Sequence, residues 1–112
     1  MAKEERPWGW FESVLKGDNY LVKRLLIRAG QRFSLQTHEY RDETWVVTSG
    51  DGLITIDDQV YNASPGLTVF IPAGAVHRAE AGKDDLEVVE VQRGSILSED
   101  DIQRLSDDYG RT

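Results

Sequence analysis

The feature that most constrains this chain is the rhythm of its apolar residues. They alternate with polar ones over short runs, a period near two, and the runs are rich in Val, Ile, Leu, Thr and aromatics. This predicts strands over Tyr20–Arg28, Phe33–His38, Thr44–Ser49, Leu53–Asp57, Val60–Asn62, Leu67–Ile71, Val76–Glu80 and Leu86–Gln92. Turn residues separate them: Ala29-Gly30, Gly50-Asp51-Gly52, Asp57-Asp58, Ser64-Pro65-Gly66, Pro72-Ala73-Gly74 and Ala81-Gly82. Parallel strands need a helical crossover, and these turns leave no room for one. The expectation is an all-β, antiparallel sandwich or closed barrel. A helix is expected only near the C-terminus. "SEDDIQRL" begins with Ser98 and carries Asp101 three positions on, an acidic capping box.

Composition narrows the field. The chain has 112 residues, enough for one domain over 1–112. Its ten aromatic residues supply a modest core and argue against disorder. The formal net charge of −7 repels phosphate polymers, so nucleic acid is not an expected partner. A small anion held by a local Lys/Arg cluster stays open. There is no cysteine, hence no disulfide, thiolate metal site or cysteine nucleophile. No apolar run approaches the roughly 20 residues of a membrane helix, and "MAKEERPWGW" lacks a signal-peptide core. A cytoplasmic location without membrane association is the expectation.

Chemistry concentrates in "SLQTHEYRDE", residues 34–43. Gln36 and His38 lie two apart and share a strand face. Glu43 follows a turn at the start of the next strand and can come opposite His38. The only other histidine, His77, follows the turn "IPAGAV". Taken singly, each is more often a satisfied core or surface residue. Together, two imidazoles, a carboxylate and an amide oxygen suit a divalent Fe, Mn, Co, Ni or Zn ion with positions left open.

The segment Gly30–Gly50 resembles the first cupin motif, with His38 and Glu43 at the expected spacing and Gln36 in the place of the first histidine. "GLTVFIPAGAVH" resembles the second, through Gly66, Pro72, Gly74 and His77; Ala81 stands where cupins often have asparagine. Over nearly the whole chain, "RPWGWFE", "VKRLLIRAGQRFSLQTHEYRDETWVV", "FIPAGAVHRAE", "LEVVEVQRG" and "EDDIQRLSDDYGR" resemble the cupin domain of type II mannose-6-phosphate isomerases. The resemblance implies a small antiparallel jelly-roll barrel and one divalent metal on Gln36, His38, Glu43 and His77. It also implies a functional role for Arg41. The chemistry would be interconversion of mannose 6-phosphate and fructose 6-phosphate, with a phosphorylated sugar as the partner. In that family this domain often follows a mannose-1-phosphate guanylyltransferase, and these 112 residues carry none. A separate nucleotidyltransferase is therefore an implied partner. The family stretch carries further histidines where this chain has Glu39, Tyr40 and Thr44.

Isomerisation places negative charge on two neighbouring oxygens, which a divalent cation stabilises. With both histidines committed, the proton must move through a carboxylate, lysine, tyrosine or metal-bound hydroxide; Tyr40 and Glu39 are near in sequence. Phosphate calls for cations, and the candidates are Lys23, Arg24, Arg32, Arg41 and Arg78. Arg41 ranks first, because it lies beside the ligands and a guanidinium binds oxyanions in bidentate fashion. The opposing reading pairs Arg41 with Asp42 or Glu39. Trp8, Trp10 and Trp45 fit a sugar pocket, the core or a subunit interface. "RPWGWF" is a candidate strand packing on a second subunit, so a homodimer is expected. Two other readings stay open: a different metal-dependent cupin enzyme such as a dioxygenase, and a non-catalytic module binding a sugar or sugar nucleotide.

Overall fold

The computed structural model describes residues 2–112. Eleven strands run in chain order: β1 Lys3–Arg6, β2 Gly9–Gly17, β3 Tyr20–Ile27, β4 Leu35–Thr37, β5 Asp42–Ser49, β6 Gly52–Ile56, β7 Gln59–Ala63, β8 Thr68–Ile71, β9 His77–Ala81, β10 Leu86–Arg93 and β11 Gln103–Ser106. They make a six-stranded sheet ordered β1-β2-β3-β10-β5-β8 and a five-stranded sheet ordered β11-β4-β9-β6-β7. Every pairing is antiparallel, as the short turns require. The outcome is two facing sheets, with β1, β8, β11 and β7 as their outer strands, where a closed barrel was expected.

The inward residues of both sheets share one core. Leu25, Ile27, Val47 and Val88 of the larger sheet meet Ile54, Ala79 and Ala81 of the smaller. Strand alternation explains the selection: Leu86, Val88, Glu90 and Gln92 are buried, while Glu87, Val89 and Val91 lie partly open on the other face. Trp8, Phe33 and Trp45 stack edge to face through the centre, at 5.4 and 5.8 Å. Trp8, Trp10 and Phe11 of the "RPWGWF" segment are thus buried within their own chain.

The expected C-terminal helix is absent. Its first turn forms as the capping signal requires: the Asp100 N–H donates to Ser98 Oγ at 3.1 Å and the Asp101 N–H to Ser98 O at 3.1 Å. Propagation then fails. Asp101 turns its carboxylate to the N–H groups of Glu39 and Tyr40, at 2.9 and 3.0 Å. Gln103 and Arg104 pair with Thr37 and Gln36, so β11 completes an edge that β4 would otherwise leave open. Eight residues offer a weak isolated helix, and a ladder with tertiary partners outcompetes it. Among the described residues no helix is long and apolar enough to cross a membrane.

Candidate metal and substrate site

β4 delivers Gln36 and runs into His38, β5 delivers Glu43 at its second residue, and β9 opens with His77. Gln36 stands opposite His77 in the β4–β9 ladder, so both side chains share the inner face. The Gly74 N–H donates to His38 O at 2.8 Å, tying the turn before β9 to the end of β4. Gly74 does this at φ +86°, a conformation glycine adopts without steric cost.

Three of the four expected ligands converge. His38 Nε2 lies 3.3 Å from Glu43 Oε2, and His77 Nε2 lies 3.8 Å from Glu43 Oε1. One donor atom from each residue falls within 4.8 Å of the others. All three are buried. The ring protons can be assigned from the far side. His38 Nδ1 donates to Asp101 O at 2.6 Å, and His77 Nδ1 donates to Ala75 O at 2.9 Å. A carbonyl only accepts, so each Nδ1 holds the proton and each Nε2 turns a lone pair toward Glu43. Burial, then the Arg41 charge, pushes His38 down to about 4, and burial lowers His77 as well. Both rings are neutral at pH 7, the ligating form. Gln36 donates through Nε2 to Ser34 O and Ser34 Oγ, both at 3.2 Å, which leaves its Oε1 uncommitted. This donor set, with each imidazole oriented by a backbone carbonyl, fits a divalent cation.

Arg41 lies against the cluster. Its Nε donates to Glu43 Oε2 at 2.8 Å, its NH1 to Ser98 O at 3.1 Å, and its NH2 to His38 Nε2 at 3.2 Å. It is buried, so its partner is Glu43, in place of the Asp42 or Glu39 pairing that the sequence also allowed.

Two rows of side chains wall the cavity. On the six-stranded sheet, Trp45, Glu90 and Lys23 are successive ladder partners. Trp45 Nε1 donates to both Glu43 Oε1 and Glu90 Oε2, each at 3.0 Å, and Gln92 Nε2 donates to Glu90 Oε1 at 2.7 Å. Burial, with the nearby Glu43 charge, pushes Glu90 up to about 7. Lys23 is buried, bonded to the Glu99 carboxylate and 4.3 Å above the Phe11 ring. On the five-stranded sheet, Arg104, Gln36 and His77 are successive ladder partners. Lys23, Arg41 and Arg104 all line the cavity, as do Trp8 and Trp45.

Other expected residues lie elsewhere. Tyr40 is 51% exposed and, with Glu39, borders a separate hollow beside Asp100. Arg78 is buried but donates to Phe33 O at 3.0 Å and Ser106 O at 3.4 Å. Arg24 pairs with Glu12 and Glu87, Arg32 with Asp108. Trp10 lies under Lys3 and Arg24 on the outer face. Sequence reasoning missed Glu90, Gln92 and Arg104. A signal existed for the first: Glu87 and Glu90 are three apart on one strand, so they face opposite sides and one must be inward. Arg104 was hidden by the expected helix.

Residues 2–107 match the family model described as mannose-6-phosphate isomerase C-terminal. The alginate biosynthesis protein AlgA of Pseudomonas aeruginosa is 47% identical over 108 residues, 96% of this chain and 22% of that protein. A mannose-1-phosphate guanylyltransferase of Escherichia coli is 43% identical over 107 residues, 95% of this chain and 22% of that protein. The chain thus spans less than a quarter of the length of these relatives. Among solved structures, the capsular polysaccharide assembling protein CapF of Staphylococcus aureus superposes with a TM-score of 0.81 at 23% identity, over 94% of this chain and 34% of that one. Oxalate decarboxylase of Bacillus subtilis gives a TM-score of 0.83 at 18% identity, over 93% of this chain and 30% of that one. These two likenesses bear on the fold alone. The chain belongs to the mannose-6-phosphate isomerase C-terminal family, a family of cupin domains.

Proposed function

We propose that the cavity between the sheets is a metal-dependent sugar-phosphate isomerase site, interconverting mannose 6-phosphate and fructose 6-phosphate. The observation that carries this reading is the buried convergence of His38, Glu43 and His77, donor atoms within 4.8 Å, in a chain of this family. Gln36, His38, Glu43 and His77 would hold one divalent ion, whose Lewis acidity stabilises the paired oxygens of the reacting carbons. The protein's share is positional. The Nδ1 anchors fix both imidazoles, Trp45 Nε1 holds the Glu43 carboxylate from behind, and Arg41 presents a buried guanidinium beside the ligands. Arg41 is the catalytic residue of this reading, because its guanidinium lies beside the proposed ligands, where oxyanion character would develop. Lys23 is a further cation lining the cavity, paired with Glu99. Tyr40 and Arg78 fall outside the reading: Tyr40 borders the separate hollow, and Arg78 is bonded to backbone carbonyls.

The test is a coupled assay from mannose 6-phosphate to fructose 6-phosphate with Mn, Co, Zn, Ni or Fe(II) supplied in turn. Wild type is expected to turn over with at least one metal. Arg41→Ala should lose about 100-fold or more in kcat, the scale of one oxyanion-stabilising donor. Background rates with every metal would remove the isomerase reading.

A further inference from the structure

The cavity that houses the cluster also holds polar atoms with nothing to bond. Three buried side-chain nitrogen or oxygen atoms among the described residues lack a hydrogen-bond partner: Arg24 Nε, Gln92 Oε1 and Arg104 Nε. The residues of two of them, Gln92 and Arg104, line this one cavity. Leaving a buried polar atom unpaired is costly, so both side chains gain by turning toward a polar ligand in the cavity they line. One orphan is an acceptor and the other a cationic donor. A complementary ligand offers a donor to Gln92 and an acceptor to Arg104, and the guanidinium charge favours an anionic acceptor.

The cations around the cavity are not equivalent. Arg41 is bonded to Glu43 and His38, Lys23 to Glu99, and Arg111 doubly to Asp107 at 2.8 and 3.0 Å. Arg6 donates to Glu5 O and lies 3.8 Å from Glu4. Arg104 enters no ion pair among the described residues. Its ladder position is definite: it opposes Gln36, which opposes His77, so all three project from the same face in one row. Neighbouring strands are about 4.8 Å apart, which sets the Arg104 backbone about 10 Å from that of His77. A sugar whose reacting carbons sit at the His38–Glu43–His77 cluster would extend its far end along this row toward Arg104.

We propose that Arg104 is the phosphate anchor of the cavity, the specificity residue that selects a phosphorylated sugar over a neutral one. The proposal rests on the isomerase reading for the placement of the sugar, but it concerns binding, and it can fail or stand separately. Arg41, tied to Glu43, stays with the reacting end, and Arg104 takes the distal oxyanion through its planar fork.

The experiment is calorimetric titration of the 112-residue chain, metal content measured on each sample, with mannose 6-phosphate alone and in competition with inorganic phosphate. Wild type is expected to bind mannose 6-phosphate and to be displaced by phosphate. Arg104→Gln should keep its metal content and lose about 10- to 100-fold in affinity, the worth of a hydrogen-bonded charge, with phosphate no longer competing. Arg104→Met, which keeps the aliphatic stem, decides the matter if the glutamine variant does not fold. Affinity within twofold of wild type in a folded variant overturns the proposal, and so does wild type that binds neither ligand. Wild type that binds in an Arg104-dependent way but never turns over removes the isomerase reading and leaves this one. Full turnover with unchanged affinity in the variant does the reverse.

Discussion

At the scale of single residues, the site turns on who faces whom across a few ångströms. Glu43 and Glu90 are two buried carboxyl groups bridged by one indole N–H. Like charges in a dry site cannot both ionise cheaply, so burial and the Glu43 charge push Glu90 up to about 7. The consequence for stability has a definite sign. Between its ordinary value near 4.5 and about 7, the unfolded chain has released the Glu90 proton and the folded chain keeps it. The stability this confers is complete below that window and is lost as pH rises through about 7. Glu90→Gln cannot titrate, so its stability relative to wild type should climb across the window by up to about 3 kcal/mol, then level off. Urea unfolding in chelating buffer from about pH 4.5 to pH 8 checks this. Parallel curves for the two proteins would show that Glu90 does not titrate there. His38 works in the opposite direction: it is pushed down to about 4, so stability falls as pH drops from about 6.5 through that value. The Glu90 charge supports the His38 imidazolium, so the two slopes are coupled, and the comparison is read above about pH 6.5, where His38 is neutral in both folded and unfolded chains. The pairing of Glu43 with Glu90 was only half legible beforehand. The spacing of Glu87 and Glu90 demands one inward carboxyl, but which strand faces it is a matter of sheet order, and β5 beside β10 is a contact between distant parts of the chain.

At the scale of elements, the segment 98–106 is where local and tertiary preferences conflict. Ser98 starts a turn as its sequence promises, and β11 follows because β4 needs a neighbour and Asp101 has two N–H groups to cap. Asp101 thereby holds the 39–40 tip, and its carbonyl holds His38 Nδ1. Asp101→Ala keeps the carbonyl and removes the carboxylate. It should cost about 1–2 kcal/mol, as loss of a capping side chain does, and speed amide exchange at Glu39 and Tyr40 by about tenfold. Unchanged exchange at both amides would mean that the tip is held by something else. The other strands were readable because their alternation coincides with which face is buried. β10 reads outward and inward in strict turn, and the sequence places it within one residue of Leu86–Arg93. β1 and most of β2 were missed: "KEER" carries no alternation, "RPWGWF" was read as a strand for a second subunit, and β1 forms only as the partner of β2.

At the scale of the whole molecule, the two sheets form a frame whose gap holds nearly all the buried polar groups. A divalent ion that binds the folded frame and not the unfolded chain must stabilise it by mass action. At 100 times its dissociation constant the gain is about 2.7 kcal/mol. That raises Tm by roughly 10 °C in a domain of this size. Chelator should reverse the shift, and His77→Ala should abolish it. Thermal unfolding monitored with each metal in turn measures this, and an equal shift in wild type and His77→Ala would place the ion somewhere else.

The amino-acid sequence by itself determined that the chain is antiparallel and all-β, because period-two runs joined by turns admit no crossover. It also singled out Gln36, His38, Glu43 and His77 as candidate ligands, through the resemblance of the motifs around them to the cupin pattern. Tertiary structure decided the rest. It replaced the C-terminal helix with β11, since a ladder with long-range partners outweighs eight residues of local preference. It turned Arg41 inward to Glu43, left Tyr40 half exposed, tied Arg78 to backbone carbonyls, and aligned Arg104 with Gln36 and His77. Those outcomes depend on which strands become neighbours, and strand neighbourhood is a property of the whole core that no short stretch encodes.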